Sequence, residues 1–357
     1  MAYRVVVWGT GNAGRPAIRA VAAHADLELA GVVVSNPEKV GRDAGELAFI
    51  APLGVTATDD VTIAFADDID AVVYTATADT RPDDAFADLI ACLERGANVV
   101  STSFYPLLHP ASAPPPVIEA VERACATGDT SVFVSGIDPG WALDILPILV
   151  SGVSAGIEEI RVQEIFNYAL YDAPAVVRDV IGFGGSMEST PLMLLDVALE
   201  MVWAPMVRIL GEALEVELDA IETHVERRPL EHTIDVPGMG TFDAGTQGAF
   251  RFEVRGVVNG RPRLVVEHVT RIDDECAPDW PTSTAPGGIH RVRVTGHPTL
   301  EVTIHGTEPG EPGAAGGGNA TAANRIVNAI PAVCDAPAGP LSALDLPPIT
   351  GAAQLRQ

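Results

Sequence analysis

Cysteine is scarce in this 357-residue chain: Cys92, Cys125, Cys276 and Cys334 stand far apart, with no C-x-x-C step and no Cys/His spacing suited to a metal. A disulfide framework and a zinc site are therefore not expected, and the four read as small buried hydrophobes. Basic residues are also short, 22 Lys and Arg against 48 Asp and Glu, for a net charge of −26. Nucleic-acid binding needs clustered cations that this balance does not supply, so the acidity reads as an aid to solubility. No apolar run reaches about 18 uninterrupted residues, and no charged segment with an apolar core precedes the first strand. Neither a membrane span nor secretion is expected, and a cytoplasmic setting is. What the chain does have is apolar content, 47%, and a length comfortable for two domains.

The most informative stretch lies at the start. Val5-Val6-Val7-Trp8 runs into Gly9-Thr10-Gly11-Asn12-Ala13-Gly14 and then into the helical pattern Arg15-Pro16-Ala17-Ile18-Arg19-Ala20-Val21. A G-x-G-x-x-G between a β-branched run and a helix start predicts a dinucleotide turn, with Pro16 in the first turn where a missing N–H costs nothing. Gly9 permits the tight turn, Gly11 admits a pyrophosphate close to the backbone, and Gly14 lets the helix pack on the strand. The next strand, Leu27 to Val34, ends at Ser35 and Asn36, where an NAD site places an acidic residue. Without that carboxylate, and with Lys39 and Arg42 just beyond, NADP is the expected cofactor and NAD the alternative.

Alternation of strands and helices continues. Strands are predicted at Ile69–Thr75, Asn98–Thr102 and Ser131–Gly136, with helices at Pro82–Arg95 and Pro116–Thr127. This pattern implies α/β architecture, a doubly wound parallel sheet of Rossmann type, with Thr75-Ala76-Thr77, Ser101-Thr102 with the following Ser103-Phe104-Tyr105, and Ile137-Asp138-Pro139-Gly140 facing the cofactor. From Trp141 the pattern changes. A helix Ala142–Ser151, a strand Glu159–Ile165 and helices near Pro174–Ile181 and Pro191–Ala213 precede strands at Glu217–Val225, Gly248–Val258, Leu264–Ile272, His290–Thr295 and Leu300–His305. Asn259-Gly260 is a hairpin signal between two of them. The expected division is a dinucleotide-binding domain at 1–140, an α+β domain with a mostly antiparallel sheet at 141–312, serving substrate binding or oligomerisation, and a tail at 313–357 returning to the first domain.

These motifs together resemble the dihydrodipicolinate reductase-like superfamily, within it the branch of 2,4-diaminopentanoate dehydrogenase and the native amine dehydrogenases. The resemblance rests on Trp8 to Gly14, on Ser35 to Asp43, on Gly136-Ile137-Asp138-Pro139-Gly140 with Asp144 and Leu146-Pro147, and on Ala320-Thr321-Ala322, Arg325, Asn328-Ala329-Ile330-Pro331 and Asp345-Leu346-Pro347. It implies an NAD(P)-dependent oxidoreductase acting on CH–NH2 or C=N/C=O groups in a cleft between two domains, and a homodimer. The sequence departs from the family at two points. Adjacent histidines, used by dihydrodipicolinate reductases, are absent, which argues against lysine biosynthesis. The catalytic Glu that resembling amine dehydrogenases carry after the strand at Asn98–Thr102 is replaced by Ser103-Phe104-Tyr105-Pro106.

Reductive amination still needs a group to move protons beside the nicotinamide. Glu164, within Gln163-Glu164-Ile165-Phe166-Asn167-Tyr168, is the expected substitute, with Tyr168 as its companion. Asn167, Tyr171 and Asp138 are further pocket candidates, and Ser103, Phe104 and Tyr105 are expected to wall the pocket and favour an apolar carbonyl or amine. His290 and His297 flank a strand, and no metal is expected. Two alternatives remain open at this point, a carbonyl or C=C reductase without ammonia and a non-catalytic dinucleotide-binding sensor.

Overall fold

The computed structural model describes residues 2–66, 68–78, 81–171, 173–309 and 316–355. The chain divides into two units, Met1–Ile137 with Asn319–Gln357, and Asp138–Gly318. The expected boundary between 312 and 313 lies outside the described residues.

Unit 1 is built on strands β1 (Tyr3–Trp8), β2 (Leu27–Val33), β3 (Ala57–Thr58), β4 (Ala71–Tyr74), β5 (Asn98–Ser101) and β6 (Ser131–Val134), extended by a strand at Gly339–Leu341. Their order across the sheet is β3, β2, β1, β4, β5, β6 and the 339–341 strand, all parallel. Such strands carry unbroken apolar runs because helices cover both faces, and Val5, Val7, Val72, Val73, Val99 and Val100 are fully buried. Helices α1 (Gly14–Ala23), α2 (Ala44–Leu47), α3 (Pro82–Glu94) and α4 (Pro115–Gly128) alternate with them. Register pairs Trp8 with Tyr74 and Tyr74 with Ser101, so three strands end side by side at one edge of the sheet. In doubly wound sheets that carboxyl edge is where the ligand lies.

Unit 2 opens with α5 (Ile145–Ser151), later than the expected Ala142 start because the Asp144 carboxylate accepts from Ile145 N–H and caps the helix there. Its sheet comprises β7 (Ala155–Asn167), β8 (Ala220–Pro229), β11 (Gln247–Val258), β12 (Arg261–Arg271), β13 (Gly288–His297) and β14 (Leu300–Ile304) in the order β14, β13, β7, β12, β11, β8; β9 (Ile234–Val236) and β10 (Gly240–Phe242) form a separate ribbon. Every pairing is antiparallel except the central β7–β12 pair, which is parallel. The helix expected over Pro191–Ala213 is broken into a turn at Leu192–Leu194, α6 (Asp196–Val202) and α7 (Ala204–Ala213). Pro205 in the first turn of α7 favours a fresh start there. Near Pro174–Ile181 the helical segment widens to π geometry over Val176–Val180.

The two faces of this sheet differ. Phe252, Val254 and Val266 face α7, which comes so close that a Cβ at Gly256 would lie 2.6 Å from Val207 Cγ1. Odd-numbered positions of β11 and β12 carry charge to the opposite face, where Glu253 and Glu267 are buried between arginines. Arg161 Nη1 donates to both, at 2.8 and 2.6 Å, and Arg251 Nε donates to Glu267 at 2.7 Å.

Candidate active site

The glycine turn follows β1 directly. Gly9 adopts φ +106°, and a Cβ there would meet Ala76 N at 2.8 Å; a Cβ at Gly14 would lie 2.1 Å from Gly9 O. Both positions thus require glycine. Around an ideal Cβ at Gly11, by contrast, no atom of the described residues lies within 4 Å, leaving the approach a pyrophosphate needs. Ala13, the residue before α1, gives the helix no side-chain cap, and no acidic residue occupies its first turn. The positive end of the helix is therefore left to an anion.

Cations surround this turn. Lys39 donates to Thr10 O at 3.1 Å and Thr10 Oγ1 at 3.0 Å, which ties the loop after β2 to the turn. Arg15 bonds Asn12 Oδ1 at 3.1 Å and lies over the Phe49 ring. Burial, then Arg15 and Arg42, push the Lys39 ammonium below its ordinary pKa. A dianionic phosphate would relieve that repulsion. Ser35 is exposed, and Asn36 caps the following turn by accepting from Glu38 N–H at 2.9 Å.

At the other strand ends, side chains brace the backbone. Thr75 Oγ1 donates to Trp8 O at 3.1 Å, Ser101 Oγ to Tyr74 O at 2.8 Å, and Ser103 Oγ to Ala76 O at 2.8 Å. Phe104 is buried and packs on the Tyr74 ring, 5.1 Å between centroids, so it belongs to the core of unit 1. Ala76, Thr102 and Tyr105 are half-buried and Thr77 is exposed.

The second constellation lies within unit 2 and centres on Glu164, near the C-terminal end of β7. The sheet register sets His268 of β12 opposite it on one side and His290 of β13 on the other. His268 Nδ1 is 3.5 Å from Glu164 Oε1, His290 Nε2 is 3.6 Å from Oε2, and Tyr168 donates its hydroxyl to Oε1 at 2.9 Å. Asp138, its carboxylate 1% exposed, lies 3.1 Å from His268 Nε2 and accepts from Trp203 Nε1 at 2.9 Å on the same oxygen. Phe252 stacks on the His268 ring at 4.5 Å and Trp203 meets it edge-on at 4.9 Å. Phe166 rests on His290 at 5.2 Å, its ring lying over Gly288, where a Cβ would come within 2.4 Å of it. Tyr171 is half-buried against Tyr168, ring centroids 5.2 Å apart. Asn167 falls on the opposite face of β7 from Glu164, and its Oδ1 accepts from Ala169 N–H at 2.9 Å, capping a turn.

Burial opposes charge at Glu164, yet His268 and His290 outweigh it and hold the carboxyl well below the usual range. Burial likewise opposes charge at His268, and Asp138 and Glu164 raise its pKa to about 10. Burial and Glu164 keep the Tyr168 phenol protonated, and the same two influences raise Tyr171. Asp138, Glu164 and His268 offer ligand atoms within 4.8 Å of one another, a spacing that a metal also accepts. Here His268 Nε2 is hydrogen-bonded to Asp138, while His268 Nδ1 and His290 Nε2 meet Glu164 only as ion-pair contacts and, with Asp138 Oδ2, have no hydrogen-bond partner among the described residues. Sequence reading passed over His268 and set His290 aside. His268 lies inside the strand pattern Leu264–Ile272, and its partner Asp138 is 130 residues away, so no spacing rule connects them.

A parallel sheet with a glycine turn at its carboxyl edge, joined to an α+β unit that buries a carboxylate between imidazoles, defines an oxidoreductase of the nicotinamide dinucleotide class. A family model for the N-terminus of dihydrodipicolinate reductase matches residues 3–104, and one for the C-terminal domain of 2,4-diaminopentanoate dehydrogenase matches residues 141–356. An amine dehydrogenase of Streptomyces virginiae is 51% identical over 344 residues, 96% of this chain and 95% of that protein. A 4-hydroxy-tetrahydrodipicolinate reductase of an Anaeromyxobacter species is 38% identical over 183 residues, half of this chain and 62% of the reductase. In fold, the chain matches the amine dehydrogenase of Mycobacterium smegmatis with a TM-score of 0.76 at 19% identity, covering 99% of each chain. The chain belongs to the amine dehydrogenase branch of the dihydrodipicolinate reductase-like family.

Proposed function

We propose that the chain catalyses reversible reductive amination of an apolar ketone or aldehyde, with NADP as preferred cofactor and Glu164 as the proton-handling group. The observation that carries this reading is Glu164 itself, a buried carboxylate set between two imidazoles and a phenol among aromatic rings. The name of the Streptomyces relative, amine dehydrogenase, supports the reaction class. Bound at the glycine turn, the dinucleotide supplies the hydride. Tyr168 and His268 engage Oε1, and Oε2, which accepts no hydrogen bond but has His290 Nε2 at 3.6 Å, is the oxygen that takes a proton from the attacking amine and returns one to the departing hydroxyl. Phe166, Tyr168 and Tyr171 give the site the aromatic walls that an apolar substrate needs.

The preference for NADP rests on Lys39, Arg15 and Arg42 around the turn and on the missing acid at Ser35–Asn36. Association as a homodimer through the second sheet, and a cytoplasmic setting suited to four free thiols, complete the reading. Glu164→Gln is expected to lower kcat by roughly 10²–10⁴-fold while NADPH binding, read from its fluorescence, is unchanged. An unchanged rate would contradict the assignment.

A further inference from the structure

We infer that His268, clamped by Asp138 and Trp203, is a positioning residue that holds Glu164 in place as an ionised carboxylate. The inference rests on the assignment of Glu164 above. His268 is 2% exposed and has a carboxylate oxygen against each nitrogen, Asp138 Oδ1 at 3.1 Å from Nε2 and Glu164 Oε1 at 3.5 Å from Nδ1. A neutral imidazole carries one N–H, so either tautomer aims a lone pair at one of the two carboxylates. The doubly protonated ring puts an N–H toward each carboxylate, hydrogen-bonded to Asp138 through Nε2 and in ion-pair contact with Glu164 through Nδ1, and is the form that leaves no lone pair against a carboxylate.

The surroundings reinforce that choice. Asp138 Oδ1 also accepts from Trp203 Nε1, so the anchor is fixed from a second direction, and Phe252 stacking at an interplanar angle of 12° prevents the ring from turning. Charged or titratable groups reach the pair from each neighbouring element. Asp138 comes from the segment after β6, Glu164 and Tyr168 from β7 and its following turn, His290 from β13, and Tyr171 from just beyond Tyr168. Without the imidazolium, Glu164 would keep its desolvation among Phe166, Phe252 and Trp203 and lose the main influence that offsets it. Its carboxyl pKa would then rise, with His290 left to oppose burial, and the carboxylate would be lost as a base from the acid side of the profile first. His268 thus acts through Glu164, and Asp138 acts through His268.

The test compares the pH dependence of kcat/KM, from pH 6 to 9, in the wild-type enzyme, His268→Asn, Asp138→Asn and Glu164→Gln. The wild-type profile should stay flat on its acid side. His268→Asn should lose at least tenfold at pH 6 relative to wild type and recover most of the difference by pH 9, with Asp138→Asn intermediate. A loss that is the same at every pH overturns the positioning role, because a merely structural defect lowers the whole profile. Glu164→Gln should be slowed by roughly 10²–10⁴-fold throughout; if it turns over at the wild-type rate, the assignment of Glu164 fails and the inference with it, whereas a slowed Glu164→Gln beside a pH-independent His268→Asn sinks the inference alone. Nitrogen NMR of the wild-type protein gives a readout that needs no variant to fold. Two N–H-type ring nitrogens on His268 at pH 8 are expected, and a neutral tautomer at that pH would overturn the proposal.

Discussion

Lys39 is the side chain on which cofactor choice should turn. Its ammonium is held by Thr10 at 3.0 Å, and neighbouring Arg15 and Arg42 repel it, so a phosphate entering there gains a charge-assisted partner. Such a bond contributes about 1.5–3 kcal/mol, so Lys39→Ala should weaken NADPH binding by roughly 10–100-fold and leave NADH nearly unchanged. Equal losses for both cofactors in a fluorescence titration would remove Lys39 from the phosphate site. The Glu164–His268 pair makes its own prediction for stability. His268 rises from 6.5 to about 10 on folding, so its contribution is complete below about pH 6.5 and is lost as pH climbs through about 10. Glu164 moves the other way, and its contribution is present above its ordinary 4.5 and lost as pH falls below that. Both shifts describe one ion pair. Wild type should therefore exceed His268→Asn in urea midpoint across neutral pH, and the gap should close above about pH 10. A gap that persists at high pH would contradict the charged state. At this scale the sequence pointed to Glu164 and Tyr168 as candidates, which the structure places in hydrogen-bond contact, and to the glycines of the turn, because each stands in a local pattern. Asp138 was legible as a pocket candidate but its partner His268 was not, since the two meet only through the sheet register and the turn before α5.

Among the elements, the second sheet shows what period-two alternation does when both faces matter. Even-numbered positions of β11 and β12 build an apolar layer under α7 with His268 set into it, while odd-numbered positions bury Glu253 and Glu267 among Arg161, Arg251 and Arg255. Removing one partner from such a network leaves buried charge uncompensated. Glu267→Ala should therefore destabilise the protein by about 3–5 kcal/mol in urea unfolding, and a loss below about 1 kcal/mol would mean the arginines find other partners. Element positions were largely legible from apolar periodicity and from Gly and Pro punctuation. What periodicity could not supply was the parallel pairing of β7 with β12, which depends on strands about a hundred residues apart in sequence. It is that pairing which puts His268 beside Glu164. Helix breaks were also hidden, because the apolar pattern runs on through Leu195, whose backbone is extended, and through Pro205, which begins a new helix.

For the molecule as a whole, dinucleotide binding and proton handling are assigned to different units, Met1–Ile137 with Asn319–Gln357 and Asp138–Gly318. The first unit could be read almost entirely from one glycine turn and the strands that follow it. Chemistry could not, because the position after β5 that resembling enzymes fill with a carboxylate holds Ser103-Phe104-Tyr105, with Ser103 braced on Ala76 and Phe104 in the core. The account therefore stands or falls on whether a chain lacking that carboxylate still aminates. NADPH oxidation followed at 340 nm with a panel of apolar ketones and aldehydes, each with and without ammonium, tests this directly. Oxidation that requires ammonium and yields the amine is the predicted result; oxidation at the same rate without ammonium, or none with any substrate, would contradict it.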